Sequence, residues 1–359
     1  MKNHFPKVTV IMPIRNEINF ISKSLKAVLN QNYPKDKIEI IISDGMSDDG
    51  TIDFLKKIKN NNIKIIENPE QIVPTGFNRA LSVSNGEIII RIDGHCVVDK
   101  DFINNCVKIL ISKNCSCVGG SIENVSKGIV ADSINFAQSS NFGVGGVAFR
   151  RNPNKGLYVD TLAFGAYKRS VFSEIGGYDE ELKRNQDDEF NFRLNQIGEK
   201  IWLDPKIKSK YFTRSTYQKL FHQYFGYGKY KVRVIQKRGG YASYRHLVPI
   251  FFVISILISL VFYFYIKDSF LIKAIFYPYF ILSFINAVYE LFIDHKFSLI
   301  SKNVMKIPLT FMVILSCFII HTSYGLGFLF GLFVFASKWG EKIIKDSNFD
   351  KLNFKKAKF

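Results

Sequence analysis

Cysteine, tryptophan and histidine are scarce in this chain, which contains 5, 2 and 6 of them in 359 residues. A small and odd number of cysteines is typical of a reducing compartment and argues against a disulfide framework. Cys115 and Cys117 have neither the spacing nor the neighbouring histidine of a zinc site. We therefore interpret the cysteines as packing residues.

Two further patterns are missing. No Gly-x-Gly-x-x-Gly run follows the first predicted strand, which argues against a dinucleotide-binding Rossmann site. The first seven residues are polar and lead directly into a strand-like run, unlike a secretory signal peptide. We therefore expect the N-terminal half of the chain to stay in the cytoplasm.

Acidic residues are also in short supply, with 31 Asp and Glu against 49 Lys and Arg and a formal net charge of +18. Residues 206–245 contain eleven Lys or Arg and no Asp or Glu. Such a block indicates binding to nucleic acid or to an anionic membrane surface. The segments that follow favour the membrane, and no nucleic acid partner is expected.

Three long stretches in the C-terminal third are uncharged or nearly so. Residues 247–266 are almost wholly apolar and are long enough to cross a bilayer core. Residues 274–293 and 307–337 are less uniform, because the first carries Glu290 and the second carries His321 and three glycines. For these two stretches, buried core helices are the alternative to membrane spans.

The distribution of lysine predicts a topology for these stretches. Lys296, Lys302 and Lys306 lie between the second and third stretches, and the tail after Lys338 is rich in lysine. The positive-inside rule places both groups on the cytoplasmic side. The first two stretches then form a hairpin. The third must return to the side on which it began, and a break near residues 321–327 would allow this.

The first 120 residues alternate β-rich runs with segments of helical apolar spacing. With short connections, this pattern predicts an α/β fold whose mainly parallel sheet is covered on both faces. Residues 120–160 are rich in Gly, Ser and Asn and predict a mobile loop region of the kind that covers active sites. The predicted strands are residues 8–12, 38–42, 63–66 and 88–92, and the predicted helices are residues 18–29, 51–59, 76–84 and 190–197.

The most informative motif is Asp93-Gly94-His95, which closely follows the apolar run 88–90. In an open α/β sheet, ligands bind outside the carboxyl ends of the strands. Asp93 and His95 can hold a divalent metal against a diphosphate at such a position. An Asp-Gly pair is also a common turn signal, and this stretch alone supports both interpretations equally.

Three more polar clusters, at residues 13–17, 43–51 and 185–189, stand at predicted strand ends or at a helix start. Because parallel strands end at the same edge of a sheet, the first two are expected to lie beside Asp93. Helix capping explains one of Asp48 and Asp49, and helix-dipole complementation is an alternative for the acids at 187–189. Their convergence favours a ligand site.

With these motifs in this order, the chain resembles inverting family 2 glycosyltransferases of the GT-A fold. Within that family it is similar to bacterial exopolysaccharide enzymes of the succinoglycan glucosyltransferase kind, which also have a hydrophobic C-terminal region and an Asp-Gly-His motif. The resemblance covers about residues 6–230. It rests on residues 8–13, 15–17, 44–45, 47–51, 76–80, 93–95, 176–179 and 186–187.

The resemblance implies roles for individual residues. Asp187 is expected to be the catalytic base, with Asp188 as the alternative and Arg193 orienting the carboxylate. Asp93 and His95 are expected to hold Mn²⁺ or Mg²⁺, although many members have a second Asp where this chain has His95. The expected donor-binding residues are Pro13, Arg15, Glu17, Asp44, Ser47, Asn78, Arg79, Asp93 and Gly94.

These roles match the chemistry of sugar transfer. A divalent cation neutralises the charge that develops on a diphosphate leaving group. On the opposite face of the sugar, a carboxylate within hydrogen-bond reach takes the proton of the attacking hydroxyl. One displacement from that face inverts the anomeric centre. The site therefore needs a metal end and a base end.

Processive synthases of the family usually carry Gln-x-x-Arg-Trp near residue 223. This chain has Gln223 without the Arg-Trp pair, which argues against a processive synthase. Gln223 and Tyr227 are expected to help close the site over donor or acceptor. An aromatic-rich interfacial helix is the equally supported alternative.

The sequence thus predicts a membrane-bound inverting glycosyltransferase. It would move a sugar from a nucleotide-diphosphate donor, with UDP implied by the resemblance, to a hydroxyl of a lipid-linked, polyprenyl-type glycan in surface polysaccharide biosynthesis. The expected location is the bacterial cytoplasmic membrane. A processive polysaccharide synthase and a non-catalytic basic membrane-surface binding protein are the alternatives. The predicted division is a cytoplasmic GT-A domain (1–230), a basic interfacial linker (231–246), membrane helices (247–337, with spans near 247–266, 274–293 and 307–337) and a basic cytoplasmic tail (338–359).

Overall fold

The computed structural model describes residues 5–150, 153–213, 215–240, 244–293 and 306–340. The chain divides into two compact units. Among the described residues, the first unit contains residues 5–123 and 153–211. The second unit contains residues 124–150 and the described residues from 212 to 340. Each unit is described by itself below.

One sheet organises the first unit, with strand order β3-β2-β1-β4-β8-β6-β9-β5 and β7 paired to β9. The neighbours β3, β2, β1 and β4 are parallel, whereas β8 pairs with β4 in antiparallel fashion. The parallel half is the part that the apolar runs of the sequence predicted. The strands are β1 Val8–Ile14, β2 Ile38–Asp44, β3 Ile63–Glu67, β4 Ile88–Arg91, β5 Cys96–Val98, β6 Cys117–Val125, β7 Leu157–Val159, β8 Ala166–Lys168 and β9 Ile201–Phe212.

The parallel strands are buried because helices cover them. Every residue of β1 and β4 is buried, as expected for strands with both faces covered. The first helix buries Ile21, Leu25 and Val28, which recur at helical spacing. The helices are α1 Ile21–Leu29, α2 Thr51–Lys56, α3 Val73–Ser82, α4 Phe102–Ser112, α5 Ile129–Ser139, α6 Asn141–Val144, α7 Arg169–Ile175, α8 Gln186–Gln196, α9 Tyr217–Arg238, α10 Val248–Ile266, α11 Phe270–Val288 and α12 Lys306–Val334.

The prediction of a mobile loop at residues 120–160 was wrong. This stretch contains the end of β6 and the helices α5 and α6. In α5, Ile134, Phe136 and Ala137 belong to a buried apolar cluster with residues of α9, α11 and α12. Tertiary packing therefore makes a helix of a segment whose Ser and Asn content suggested a loop.

The second unit is built around a close pair of parallel helices, α9 and α12. A Cβ placed on Gly327 of α12 would lie 2.1 Å from the carbonyl oxygen of Phe225 in α9, and one on Gly331 would lie 2.5 Å from that of Lys229. From the other side, a Cβ on Gly228 would lie 2.1 Å from the carbonyl oxygen of Tyr324. The two backbones touch because these positions lack side chains, as in small-residue packing between membrane helices.

Three helical segments of the described chain are long and apolar enough to cross a membrane: Tyr244–Ile266, Phe270–Ile293 and Lys306–Val334. Their surroundings differ, since 56% of the most apolar part of the third is buried, against 17% and 11% for the other two. The third runs unbroken, so the predicted break near residues 321–327 was wrong. Its glycines provide helix contacts and do not interrupt the helix.

The structure divides the chain differently from the predicted boundary at residue 230. Helix α9 passes through that position without a break, and its residues Lys231 and Arg233 are buried. Residues 124–150 and the described residues from 212 to 340 belong to the second unit, in which α5, α6, α9, α10 and α11 pack against α12. The first part of the predicted linker is therefore helical, and most of the predicted basic tail, residues 341–359, lies outside the described residues.

Candidate active site

The loops that follow β1 and β2 meet at the carboxyl edge of the parallel strands, as predicted. The backbone N–H of Asn16 donates to Oγ of Ser47 at 2.9 Å. The side chains of Asn16 and Asp48 are joined at 2.8 Å, and the N–H of Asp48 donates back to Asn16 Oδ1 at 3.0 Å. Asn16 adopts a left-handed conformation, with φ 54°, which asparagine tolerates well. Asp48 thus holds two loops together.

Asp44 and Asp49 are also engaged within these loops. Asp44 accepts hydrogen bonds from the N–H and the hydroxyl of Ser47, at 3.0 and 2.5 Å. Asp49 accepts from Thr51 and from the N–H of Ile18. Burial alone would raise the pKa of Asp49, but these hydrogen bonds outweigh it and lower the pKa. Asp49 therefore stays ionised and ties the start of α2 to the first loop.

Arg91 and Asp93 form a two-pronged ion pair at the end of β4. Arg91 Nε donates to Asp93 Oδ1 at 2.9 Å and Nη2 donates to Oδ2 at 3.2 Å. The guanidinium is buried, and its carbon lies 5.8 Å from the centre of the Tyr178 ring. Sequence reasoning overlooked Arg91 as a functional residue. The signal was a charged side chain at the end of an otherwise apolar strand, two residues from a candidate ligand and so on the same face.

Asp187 is the second residue of α8, which begins directly after Asn185, whose φ is 61°. Burial raises the pKa of Asp187, the charge of Arg91 lowers it, and the neighbouring Asp188 raises it. The net effect is a raised pKa, as expected of a carboxylate that accepts a proton during catalysis. Arg91 is thus shared electrostatically by Asp93 and Asp187, and it links the predicted metal end of the site to its base end.

Arg193 does not orient Asp187, contrary to the prediction. Its Nε and Nη2 donate to the two carboxylate oxygens of Glu189 at 2.7 and 2.9 Å, and the guanidinium also donates to the carbonyls of Ile175 and Gly177. The i,i+4 spacing of Glu189 and Arg193 favours this pair over one with Asp187. Arg193 therefore fixes α8 to the turn that precedes it.

The remaining donor-side residues occupy different settings. Asn78 uses its amide to bind the backbone of Tyr178, at 2.8 and 2.9 Å, and Glu180. Arg79 forms an exposed ion pair with Glu70 at 2.7 Å. Pro13 is buried in β1, whereas Arg15 is exposed at the edge.

Gln223 and Tyr227 lie in the second unit, on α9. The side-chain amide of Gln223 donates to the hydroxyl of Tyr227 at 3.0 Å. Gln223 is buried and Tyr227 partly so. The pair therefore takes part in the packing of α9.

His95 is held by Glu17, with 2.6 Å between Nδ1 and Oε1. No group of three or more His, Cys, Asp or Glu side chains suited to a metal occurs among the described residues. A cation here would therefore have few protein ligands. Sites that bind Mg²⁺ or Mn²⁺ through substrate phosphates need only one or two, with water and phosphate oxygens completing the coordination. Asp93 and His95 fit such a site.

The parallel half of the sheet, covered by helices and bearing a polar edge, has the GT-A-like fold of nucleotide-sugar-dependent transferases. Residues 9–176 match the family model described as Glycosyl transferase family 2. A protein of Methanococcus voltae, a dolichyl N-acetyl-α-D-glucosaminyl phosphate 3-β-D-2,3-diacetamido-2,3-dideoxy-β-D-glucuronosyltransferase, is 33% identical over 265 residues, which are 70% of this chain and 81% of the relative. The chain belongs to glycosyltransferase family 2 and is a glycosyltransferase.

Two further similarities were found. The succinoglycan biosynthesis protein ExoA of Rhizobium meliloti is 26% identical over 245 residues, which are 67% of this chain and 74% of the relative. Among solved structures, S. aureus TarS 1-349 in complex with UDP is matched with a TM-score of 0.46 and 15% identity over 89% of this chain and 90% of that one. Enzymes with the GT-A fold generally use a divalent metal.

Proposed function

We propose that this glycosyltransferase moves one sugar from a nucleotide-diphosphate donor, with UDP as the nucleotide, to a hydroxyl of a lipid-linked glycan, inverting the anomeric centre. The observation that carries the proposal is Arg91, which forms an ion pair with Asp93 and whose charge lowers the pKa of the buried Asp187 carboxyl. The buried guanidinium of Arg91 thus acts on both Asp93, which is proposed to bind on the diphosphate side, and Asp187, which is proposed to act on the acceptor. The donor-binding residues are proposed to be Pro13, Arg15, Glu17, Asp44, Ser47, Asn78, Arg79, Asp93 and Gly94.

The proposed mechanism assigns one task to each end of the site. Asp187 takes the proton of the acceptor hydroxyl, and its raised pKa makes it a stronger base than an ordinary aspartate. The charge of Arg91 opposes this rise in the pKa of Asp187. Asp93 and His95 would hold Mn²⁺ or Mg²⁺, which neutralises charge on the leaving diphosphate when it is bound.

The proposed acceptor is a lipid-linked sugar of a surface polysaccharide. The name of the Methanococcus relative specifies a dolichyl-linked sugar phosphate, and that of the Rhizobium relative specifies succinoglycan biosynthesis. The apolar helices α10 and α11 and the basic helix α9 support a location at an anionic membrane surface, where such an acceptor presents its sugar.

Transfer can be tested with the full chain in nanodiscs, a panel of sugar nucleotides and a lipid-linked monosaccharide acceptor. We expect one donor to yield a single, discrete product in the presence of Mn²⁺. A ladder of longer products would identify a processive synthase instead. The proposal would be contradicted if no sugar nucleotide supported either transfer or donor hydrolysis. Asp187→Asn serves as the inactive control.

We also propose that α10 and α11 cross the membrane as a hairpin, and that the second half of α12, which packs against α9, stays on the cytoplasmic side. The buried Lys231 and Arg233 of α9 lie in a helix that runs alongside the second half of α12. Charged side chains cost about 2.5–3.5 kcal/mol each at a bilayer centre by insertion scales. By contrast, α10 and α11 expose large apolar side chains such as Phe264 and Phe280.

This topology predicts where single cysteines will react. The cysteines of the described chain are buried, so they should not react with an impermeant maleimide. Lys267→Cys, between α10 and α11, should be labelled from outside intact cells. Ser337→Cys, just after α12, should be labelled only in inverted vesicles. Labelling of Ser337→Cys from outside would show that α12 spans the membrane.

A further inference from the structure

We infer that Glu17 is a positioning residue for His95, which it holds as a nitrogen ligand for the divalent cation, so that the site prefers Mn²⁺ to Mg²⁺. This inference rests on the proposed function and extends it to the metal. It assigns Glu17, one of the proposed donor-binding residues, to the metal end of the donor site.

The position of Glu17 is fixed by its backbone. Its N–H donates to Oγ1 of Thr51 at 2.9 Å. Its carbonyl accepts from the N–H groups of Phe20 and Ile21, at 2.9 and 2.8 Å, where α1 begins. Because both the N–H and the carbonyl of Glu17 are hydrogen-bonded, its side chain extends from a rigid backbone position toward His95. A residue that orients a metal ligand needs such rigidity.

The glycine of Asp93-Gly94-His95 leaves room for this contact. A Cβ on Gly94 would lie 2.8 Å from Cγ of Glu17 and 3.0 Å from Cγ2 of Ile14. The space beside residue 94 is thus already filled by the Glu17 side chain. On His95 itself, the ring packs edge-on against Tyr211, with 4.8 Å between ring centres. The imidazole is therefore held by a hydrogen bond and by an aromatic contact.

The chemistry of this pair is that of a metal-binding histidine. When Nδ1–H donates to a carboxylate, the tautomer is fixed with the lone pair on Nε2, and the ligand becomes more basic. Both oxygens of Asp93 accept from Arg91, so they compete with a cation for the same lone pairs. His95 Nε2 is then the stronger protein ligand. Mg²⁺ strongly prefers oxygen ligands, whereas Mn²⁺, as a transition-metal ion, accepts an imidazole nitrogen more readily than Mg²⁺ does.

Pulsed electron paramagnetic resonance of Mn²⁺ in the full chain tests this inference without any sugar transfer. We expect a ¹⁴N coupling from His95 in the wild type, measured with Mn²⁺ alone and with Mn²⁺ plus UDP. His95→Asp should abolish the coupling while keeping Mn²⁺ bound, and it should shift the preference toward Mg²⁺. Absence of ¹⁴N coupling in the wild type under both conditions would overturn the inference.

Glu17 is tested through affinity. Glu17→Ala should weaken Mn²⁺ binding about 10- to 100-fold, the range seen when a residue that hydrogen-bonds to a metal ligand is removed. Glu17→Gln keeps an acceptor oxygen for Nδ1–H and should recover most of the affinity and the ¹⁴N signal. Glu123→Gln, which removes an exposed carboxylate 3.9 Å from Lys210, is the matched control and should bind as the wild type does.

Two results would separate this inference from the proposed function. If Glu17→Ala binds Mn²⁺ normally but loses transfer, Glu17 contacts the substrate and the positioning role is wrong. If the wild type shows the ¹⁴N coupling but transfers no sugar to a lipid-linked acceptor, the metal site stands and the acceptor proposal fails.

Discussion

Replacement of Asp187 by asparagine is expected to lower sugar transfer by a factor of about 10² to 10⁴, the contribution typical of a general base. Asparagine has nearly the same shape and cannot accept the proton of the acceptor hydroxyl. The substitution also removes the titrating carboxyl group, whose pKa is raised by burial and by Asp188. Transfer of labelled sugar to the lipid-linked acceptor measures the loss, and membrane fractionation should show normal insertion.

Asp188→Asn is the matched control, because it changes the neighbouring carboxylate in the same helical turn. Asp188 raises the pKa of Asp187, so its removal lowers that pKa. The base then stays ionised to lower pH, and the acidic limb of the kcat profile should move to lower pH with little change at neutral pH. Wild-type transfer by Asp187→Asn, with loss in Asp188→Asn, would make Asp188 the base.

Replacement of Gly327 by leucine is expected to disrupt the second unit. Even a Cβ at this position would lie 2.1 Å from the carbonyl oxygen of Phe225, which is backbone and cannot rotate away. The α9 and α12 helices must then separate along their contact. Overpacking of this kind typically costs about 1–3 kcal/mol, which corresponds to a fall in Tm of roughly 5 °C. Thermal unfolding in detergent measures the change.

Gly240→Ala is the control for this substitution. Gly240 follows α9, and no atom lies within 4 Å of a Cβ placed there. Its Tm should match that of the wild type. If the Tm of Gly327→Leu lay within 1 °C of the control, the α9–α12 contact would be looser than described, and the expected cost of overpacking would be wrong.

The sequence was sufficient to predict the parallel half of the sheet and the edge at which the polar loops meet. Strands such as Ile88–Arg91 are buried on both faces, so that nearly every residue is apolar and the run itself indicates a buried strand. The loops after β1 and β2 were predicted to be neighbours because parallel strands end together. The hydrogen bonds between Asn16, Ser47 and Asp48 confirm this neighbourhood.

The pairings inside the site were beyond the sequence. His95 and Glu17 are 78 residues apart, and nothing in either motif indicates that one binds the other. The sequence places Arg91 at the end of a strand. Its hydrogen bonds to both oxygens of Asp93 depend on the rotamer of the arginine side chain, which the sequence does not specify. Arg193 was misassigned because one helix offers several acids within reach, and only the i,i+4 geometry selects Glu189.

Helix α5 was missed for a different reason. Its buried face includes Ser133, Asn135 and Gln138, which resemble loop residues in a linear sequence. Burial of these polar groups is tolerated where they find hydrogen bonds. Ser133, for example, bonds to Ser316 of α12 at 3.0 Å. A helix that depends on a partner so far along the chain has no local pattern by which to be recognised.

That same contact sets an order of events during synthesis. Ser133 and Ser316 are 183 residues apart, so α5 leaves the ribosome long before α12 exists. At translation rates of 5–20 residues per second, the interval is on the order of 10 to 40 s. During this time Ile134, Phe136 and Ala137 lack the α12 surface that later covers them. The apolar face of α5 therefore stays uncovered on this side until α12 is made, and only then does the second unit become complete.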